Sequence, residues 1–114
     1  MFPEITVTEL SEKLNSDDKF ILLDVRELDE LNYAKLTDSR LEVTPMSQLA
    51  QTGTKALSEA AQSQDARIYV MCHHGTRSAQ VTAWLAQQGW QNVFNVRGGI
   101  DEYARKIDQS IGFY

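Results

Sequence analysis

The chain is poor in sulfur and imidazole. Its 114 residues include one cysteine, Cys72, and two histidines, His73 and His74. A single cysteine excludes an internal disulfide and suits a reducing compartment such as the cytoplasm. No apolar run approaches the ~20 residues needed to span a bilayer. Met1-Phe2-Pro3-Glu4 lacks the basic and then apolar stretch that opens a secretory leader. Positive charge is also scarce. Eleven basic residues stand against 16 acidic ones for a formal charge of −5, and only Arg105 and Lys106 are adjacent. That distribution excludes a basic nucleic-acid stripe. The expected partners therefore include neither nucleic acid nor membrane. There is no internal repeat, low-complexity segment or linker. The composition, 42% hydrophobic and 24% charged, is ordinary for a globular protein. The length suits a single domain over residues 1–114, able to bury roughly two-thirds of its unfolded surface.

The scarce residues are concentrated. Cys72, His73 and His74 follow one another and lead into Gly75-Thr76-Arg77-Ser78. Before them, Ile68-Tyr69-Val70-Met71 is a short apolar run rich in β-formers, which predicts a buried strand. After them, Val81, Trp84 and Leu85 recur at helical spacing, and Gly89 marks a stop. A strand thus runs into a turn and the turn into a helix, with Cys72 where the strand ends. The first N–H groups of a helix have no partner inside it and carry partial positive charge. Such an end binds anions and favours a thiolate over a thiol. Gly75 permits the bend that aims several N–H groups at one centre, and Arg77 adds a guanidinium. The segment reads as a cradle for a negatively charged sulfur species. The competing reading, a small buried core cysteine, does not account for these neighbours.

The rest of the chain alternates strand and helix. Thr6 and Glu9 have capping-box spacing ahead of a helix carrying Leu10 and Leu14, ended by Asn15-Ser16-Asp17-Asp18. Phe20 to Leu23 reads as a strand covered on both faces. Leu28, Leu31 and Ala34 suggest a short helix, and Leu41 to Thr44 a short strand stopped before Pro45. Ser47-Gln48-Leu49 and Thr54 to Gln62 read as one or two helices with an apolar stripe of Ala56, Leu57, Ala60 and Ala61. Val93 to Val96 predicts a strand, Ile100 to Ile107 a last helix, and Phe113 and Tyr114 a tail that packs back on the domain. The alternation argues a mainly parallel α/β sheet with helices on both faces. Ligands of such sheets bind beyond the carboxyl ends of the strands. Asp24 and Arg26 follow one strand as Cys72 follows another, so they are candidates for the same end. Asp24 is compatible with a chemical role, a helix cap or an arginine partner, and Arg26-Glu27 with a solvated pair.

The stretch Cys72 to Ser78 resembles the active-site loop of rhodanese-type sulfurtransferases. Leu22-Leu23-Asp24-Val25-Arg26-Glu27 resembles that family's first core strand and its exit, and Val93 to Ile100 the segment before its last helix. The order and spacing of the three match across nearly the whole chain. The family's usual His-Ile-Pro-Gly-Ala type turn is absent, and Lys35-Leu36-Thr37-Asp38-Ser39 stands in its place, which changes one wall of the entrance. The resemblance implies a central sheet of about five strands and a covalent sulfur relay. Cys72 would take sulfur as a persulfide from a small anionic donor such as thiosulfate, or from a persulfide. It would then yield it to cyanide, a thiol or a sulfur-relay protein. His73, His74, Gly75, Thr76, Arg77 and Ser78 would form the substrate cradle, with Asp24 and Arg26 supporting it. Arg77 would hold the loop or bind the donor. The two histidines, expected to point apart, would face the mouth or solvent. No cofactor is implied. A zinc site from Cys72, His73 and His74 is disfavoured, because three consecutive residues chelate poorly.

Three alternatives share this architecture. Cysteine-based phosphatases resemble the loop but place five residues between cysteine and arginine, where this chain has four, His73 to Thr76. Arsenate reduction is a further variant, for which the chain has no second thiol. A binding or regulatory module with an incidental cysteine is the third. Mercaptopyruvate-specific relatives carry a loop resembling Cys-Gly-Ser-Gly-Val-Thr, from which His73, His74 and Arg77 depart.

Overall fold

A computed structural model describes residues 3–114; Met1 and Phe2, which open the stretch read for a leader, lie outside the described residues. Among the described residues, five strands form one parallel sheet: β1 (Glu4–Ile5), β2 (Ile21–Asp24), β3 (Leu41–Val43), β4 (Ile68–Met71) and β5 (Val93–Val96). Their order is β1-β5-β4-β2-β3. Four α-helices cover it: α1 (Val7–Leu14), α2 (Met46–Thr52), α3 (Thr76–Gln87) and α4 (Gly99–Lys106).

The two central strands are apolar at nearly every position because both of their faces are covered. In β2 and its exit, Ile21, Leu23 and Val25 pack toward α2 and α3, while Leu22 packs toward α1 and α4. In β4, Ile68 and Val70 share the first face, and Tyr69 and Met71 the second. The period of two along each strand therefore divides the interior into two cores. Leu22, Leu23, Val70, Leu85 and Ile100 are completely buried, and each full burial contributes about 1.5–3 kcal/mol.

Local signals end the elements where the sequence predicts. Thr6 and Glu9 form a reciprocal capping box at the start of α1. Several segments differ from expectation. β1 has only two residues, too short for a sequence pattern, and exists by pairing with β5. Leu28–Asn32 is a 3-10 helix, not an α-helix, and Leu28 is exposed, so the spacing of Leu28, Leu31 and Ala34 does not mark a buried face. The 54–62 stretch resolves into two 3-10 turns, Gly53–Ala56 and Ala60–Gln62. Leu57 and Ala61 from that stretch are buried, but Ala60 is exposed. Among the described residues, no helix is long and apolar enough to cross a membrane.

Candidate active site

The site lies at the carboxyl end of β4, beside the carboxyl end of β2. Asp24 pairs with Met71 in the parallel register, and the Val25 N–H donates to the Met71 carbonyl at 2.9 Å. That pairing brings Asp24, Arg26 and Cys72 to the same edge, as expected of residues that follow neighbouring parallel strands.

After Cys72 the backbone reverses through Gly75, whose φ of +99° is left-handed, and enters α3. The Cys72 sulfur accepts the Gly75 N–H at 3.2 Å and the Ser78 N–H at 3.3 Å. Thr76 and Arg77, at the first two positions of α3, have N–H groups with no acceptor inside the helix. The start of α4 braces the loop from behind, the Ile100 N–H donating to the Cys72 carbonyl at 2.9 Å and the Asp101 N–H to the His73 carbonyl at 3.0 Å. The approach is so close that a Cβ on Gly99 would come within 2.5 Å of both carbonyl oxygens.

A buried polar chain continues from the sulfur. The thiol donates to Ser78 Oγ at 3.3 Å, and Ser78 Oγ donates to Asn95 Oδ1 at 2.5 Å. Asn95 Nδ2 closes back on the Gly75 carbonyl at 3.3 Å. Asn95 thus ties β5 to both ends of the loop; one polar residue inside an apolar strand, Val93-Phe94-Asn95-Val96, is the signal that could have marked it. Cys72 itself is only 1% exposed. The sulfur accepts from two loop N–H groups, but the side chain is closed off from solvent and belongs to the same buried cluster as Val70, Val81 and Leu85.

Arg26 is not half of a solvated pair with Glu27. It is completely buried and forms a fork with Asp24, Nε to Oδ1 at 3.0 Å and Nη2 to Oδ2 at 2.8 Å. Its Nη1 donates to the Ala34 carbonyl at 2.8 Å and to the Tyr114 hydroxyl at 3.1 Å. Every arm of the guanidinium has an acceptor, the condition under which a buried charge is tolerated. The Ala34 contact also anchors the start of the atypical Lys35–Ser39 turn. Asp24 is accordingly an arginine partner that shapes the site edge.

Arg77 is also paired. Its two terminal nitrogens grip Glu30 at 2.6 and 2.7 Å. This grip, helped by the Glu27 N–H and the Tyr114 hydroxyl, outweighs partial burial and holds the Glu30 carboxyl down at about 2. Glu30 in return raises the Arg77 guanidinium. Arg77, expected either to hold the loop or to bind the donor, is thus tied to the Leu28–Asn32 segment through Glu30.

The histidines do not point apart. Their rings lie 3.8 Å apart, and His73 is sandwiched, with Tyr114 stacked on it at 3.6 Å and an interplanar angle of 6°. Partial burial, and then the neighbouring His74, lower the His73 pKa. His74 is exposed. Among the described residues, His73, His74 and Asp101 are the cluster able to hold a metal, with ligand atoms within 4.8 Å of one another. His73 Nε2 and Asp101 Oδ1 are buried without partners. The two imidazoles are tilted by 32° to one another, and Arg105 bonds Asp101 Oδ2 at 3.0 Å. Cys72 is not part of that cluster.

Nothing in the sequence marks Tyr114 or Glu30 as neighbours of the loop. The tail does pack back, but onto the site: the Tyr114 ring stacks on Tyr33 as well as His73, and its hydroxyl donates to Glu30 Oε1 at 2.8 Å. Burial drives its phenol up to about 12.

A family profile described as the rhodanese-like domain matches residues 6–106. The chain is 35% identical over 108 residues to a sulfurtransferase from Allochromatium vinosum, covering 92% of this chain and 91% of that protein. It is 36% identical over 114 residues to the rhodanese-like/PpiC domain-containing protein 12, chloroplastic, of Arabidopsis thaliana. That match covers 97% of this chain but spans only 37% of the longer relative. The solved structure of SSP1007 from Staphylococcus saprophyticus subsp. saprophyticus superposes with a TM-score of 0.73 at 31% identity, covering 92% of this chain and 96% of that one.

Proposed function

The chain belongs to the rhodanese-like domain family of sulfurtransferases, and from that premise we propose that it carries sulfane sulfur as a persulfide on Cys72. The carrying observation is the pair of N–H groups, Gly75 and Ser78, aimed at the Cys72 sulfur at the mouth of α3. Preorganised donors of this kind stabilise a thiolate and the anion that replaces it, without reorganisation during the reaction.

With thiosulfate as donor, the Cys72 thiolate attacks the outer sulfur. A new S–S bond forms to Cys72 and the donor S–S bond breaks. Sulfite leaves with the bonding pair and its two negative charges, and Cys72 retains a persulfide anion. With a thiol persulfide, the same attack expels a thiolate. An acceptor nucleophile, whether cyanide, a thiol or a relay protein, then takes the outer sulfur and restores the Cys72 thiolate. Splitting the transfer in this way is nucleophilic catalysis. The N–H groups of Thr76 and Arg77, which have no acceptor inside α3, are suited to receive the outer sulfur as it is added. Asn95 and Ser78 hold the loop in register, and Asp24 and Arg26 support its flank. A free reactive thiol suits a reducing compartment, and we infer the cytoplasm.

The burial of Cys72 favours a second reading, a binding module whose cysteine does no chemistry. Intact mass after incubation with thiosulfate or with cysteine persulfide separates the two. The proposal expects a gain of one sulfur atom, reversed by a reductant and abolished in Cys72→Ser. A mass unchanged with both donors, or an equal gain in Cys72→Ser, would remove Cys72 as the carrier.

A further inference from the structure

We propose that Glu30, held in place by the Tyr114 hydroxyl, determines donor specificity at this site: by occupying the Arg77 guanidinium it selects thiol persulfides over thiosulfate. The inference rests on the reading of Cys72 as the sulfur-accepting thiolate.

The argument is one of charge and of fixed geometry. Transfer from thiosulfate gathers three negative charges, one on the thiolate and two on the donor, beside the breaking S–S bond. Transfer from a thiol persulfide gathers two. The site would need an available cation to favour the first. Arg26 is committed to Asp24, and Arg105 to Asp101. Arg77, the guanidinium of the loop itself, is committed to Glu30 through two bonds of 2.6 and 2.7 Å. The sequence alone counts Arg77 as a positive charge at the mouth; the folded chain cancels it.

Glu30 is not free to swing aside. Its Oε1 accepts from Arg77 and from Tyr114, and its Oε2 from Arg77 and from the Glu27 N–H at 2.9 Å. Tyr114 is itself fixed by its stack on His73 and by the Arg26 nitrogen. Because the carboxylate is bound at both oxygens, a dianionic donor must break a four-bond arrangement to reach Arg77. A persulfide can rely on the amide ring alone.

The test compares kcat/KM for thiosulfate and for cysteine persulfide. In Glu30→Gln, the thiosulfate-to-persulfide ratio is expected to rise about tenfold, the scale of one nearby charge in a half-exposed site, mainly through a lower KM for thiosulfate. Glu30→Asp keeps the charge and should stay near the wild-type ratio. A purely structural role would instead damage transfer from both donors and would not separate Gln from Asp. A ratio that is unchanged or falls in Glu30→Gln overturns the proposal. Thiosulfate binding by calorimetry supplies a readout without turnover. Cys72→Ser/Glu30→Gln should bind it about tenfold more tightly than Cys72→Ser, and equal or weaker binding overturns the role of Glu30. If the wild type takes sulfur from neither donor, the Cys72 reading fails by itself, whatever the binding comparison gives.

Discussion

Replacing Asp24 by Asn keeps the shape of the side chain and removes its charge. In the native fold the Asp24 carboxylate accepts from the Arg26 backbone N–H at 3.0 Å and from Nε and Nη2 of the same residue. The two side chains are 1% and 0% exposed. An amide cannot serve this fork, because its nitrogen would face a guanidinium N–H, donor against donor. Arg26 would then be a buried cation without an anion. Removing one partner from a buried pair costs about 3–5 kcal/mol, a large part of the roughly 5–15 kcal/mol that holds a domain together. For a chain of this size the melting temperature should fall by roughly 12–25 °C. Urea unfolding followed by circular dichroism measures the loss directly. Arg26→Met added to Asp24→Leu removes both charges, and should be less destabilised than Asp24→Asn although it forfeits the Ala34 and Tyr114 contacts. A loss below about 1 kcal/mol in Asp24→Asn would refute the account, since only an exposed pair is worth so little.

Gly99→Ala should fold poorly or with a displaced loop, because the added methyl would meet the Cys72 and His73 carbonyls at 2.5 Å and the φ of +62° disfavours alanine. A Gly99→Ala variant with native stability and unaltered Cys72 alkylation kinetics would contradict the close packing of α4 on the loop. Stability should also depend on pH through Glu30, whose carboxyl sits at about 2 instead of 4.5. Because the folded value is the lower one, the stabilisation is complete above about pH 4.5 and is lost as pH falls toward 2. Other lowered carboxyls, such as Asp38 and Asp101, act in the same direction, so the contribution of Glu30 is the difference between wild type and Glu30→Gln. That difference should reach about 1 kcal/mol after allowance for solvent screening, and parallel acid-denaturation curves would exclude it.

Local chemistry made half of this protein legible. The run Ile68–Met71 is a strand and Gly75 a left-handed turn because neighbouring residues leave few alternatives, and the sulfur lies among N–H groups because a strand that runs into a helix puts them there. The Thr6–Glu9 cap needed only four residues to be read. The failures came where a residue's state depends on distant chain. Arg26 looked solvated beside Glu27, but packing of the Tyr114 tail and the Ala34 carbonyl around it makes burial tolerable. From sequence Arg77 is compatible with holding the loop or binding the donor, and only folding brings Glu30, 47 residues away, against it. Tyr114 reached the site across 84 residues from Glu30, and β1 exists only because β5 lies beside it. Sequence by itself determined the alternation of strand and helix and which thiol stands where a strand turns into a helix. Tertiary structure alone decided the charge that surrounds that sulfur and what covers it, because ion pairing and burial are set by groups that the chain brings together only when it closes.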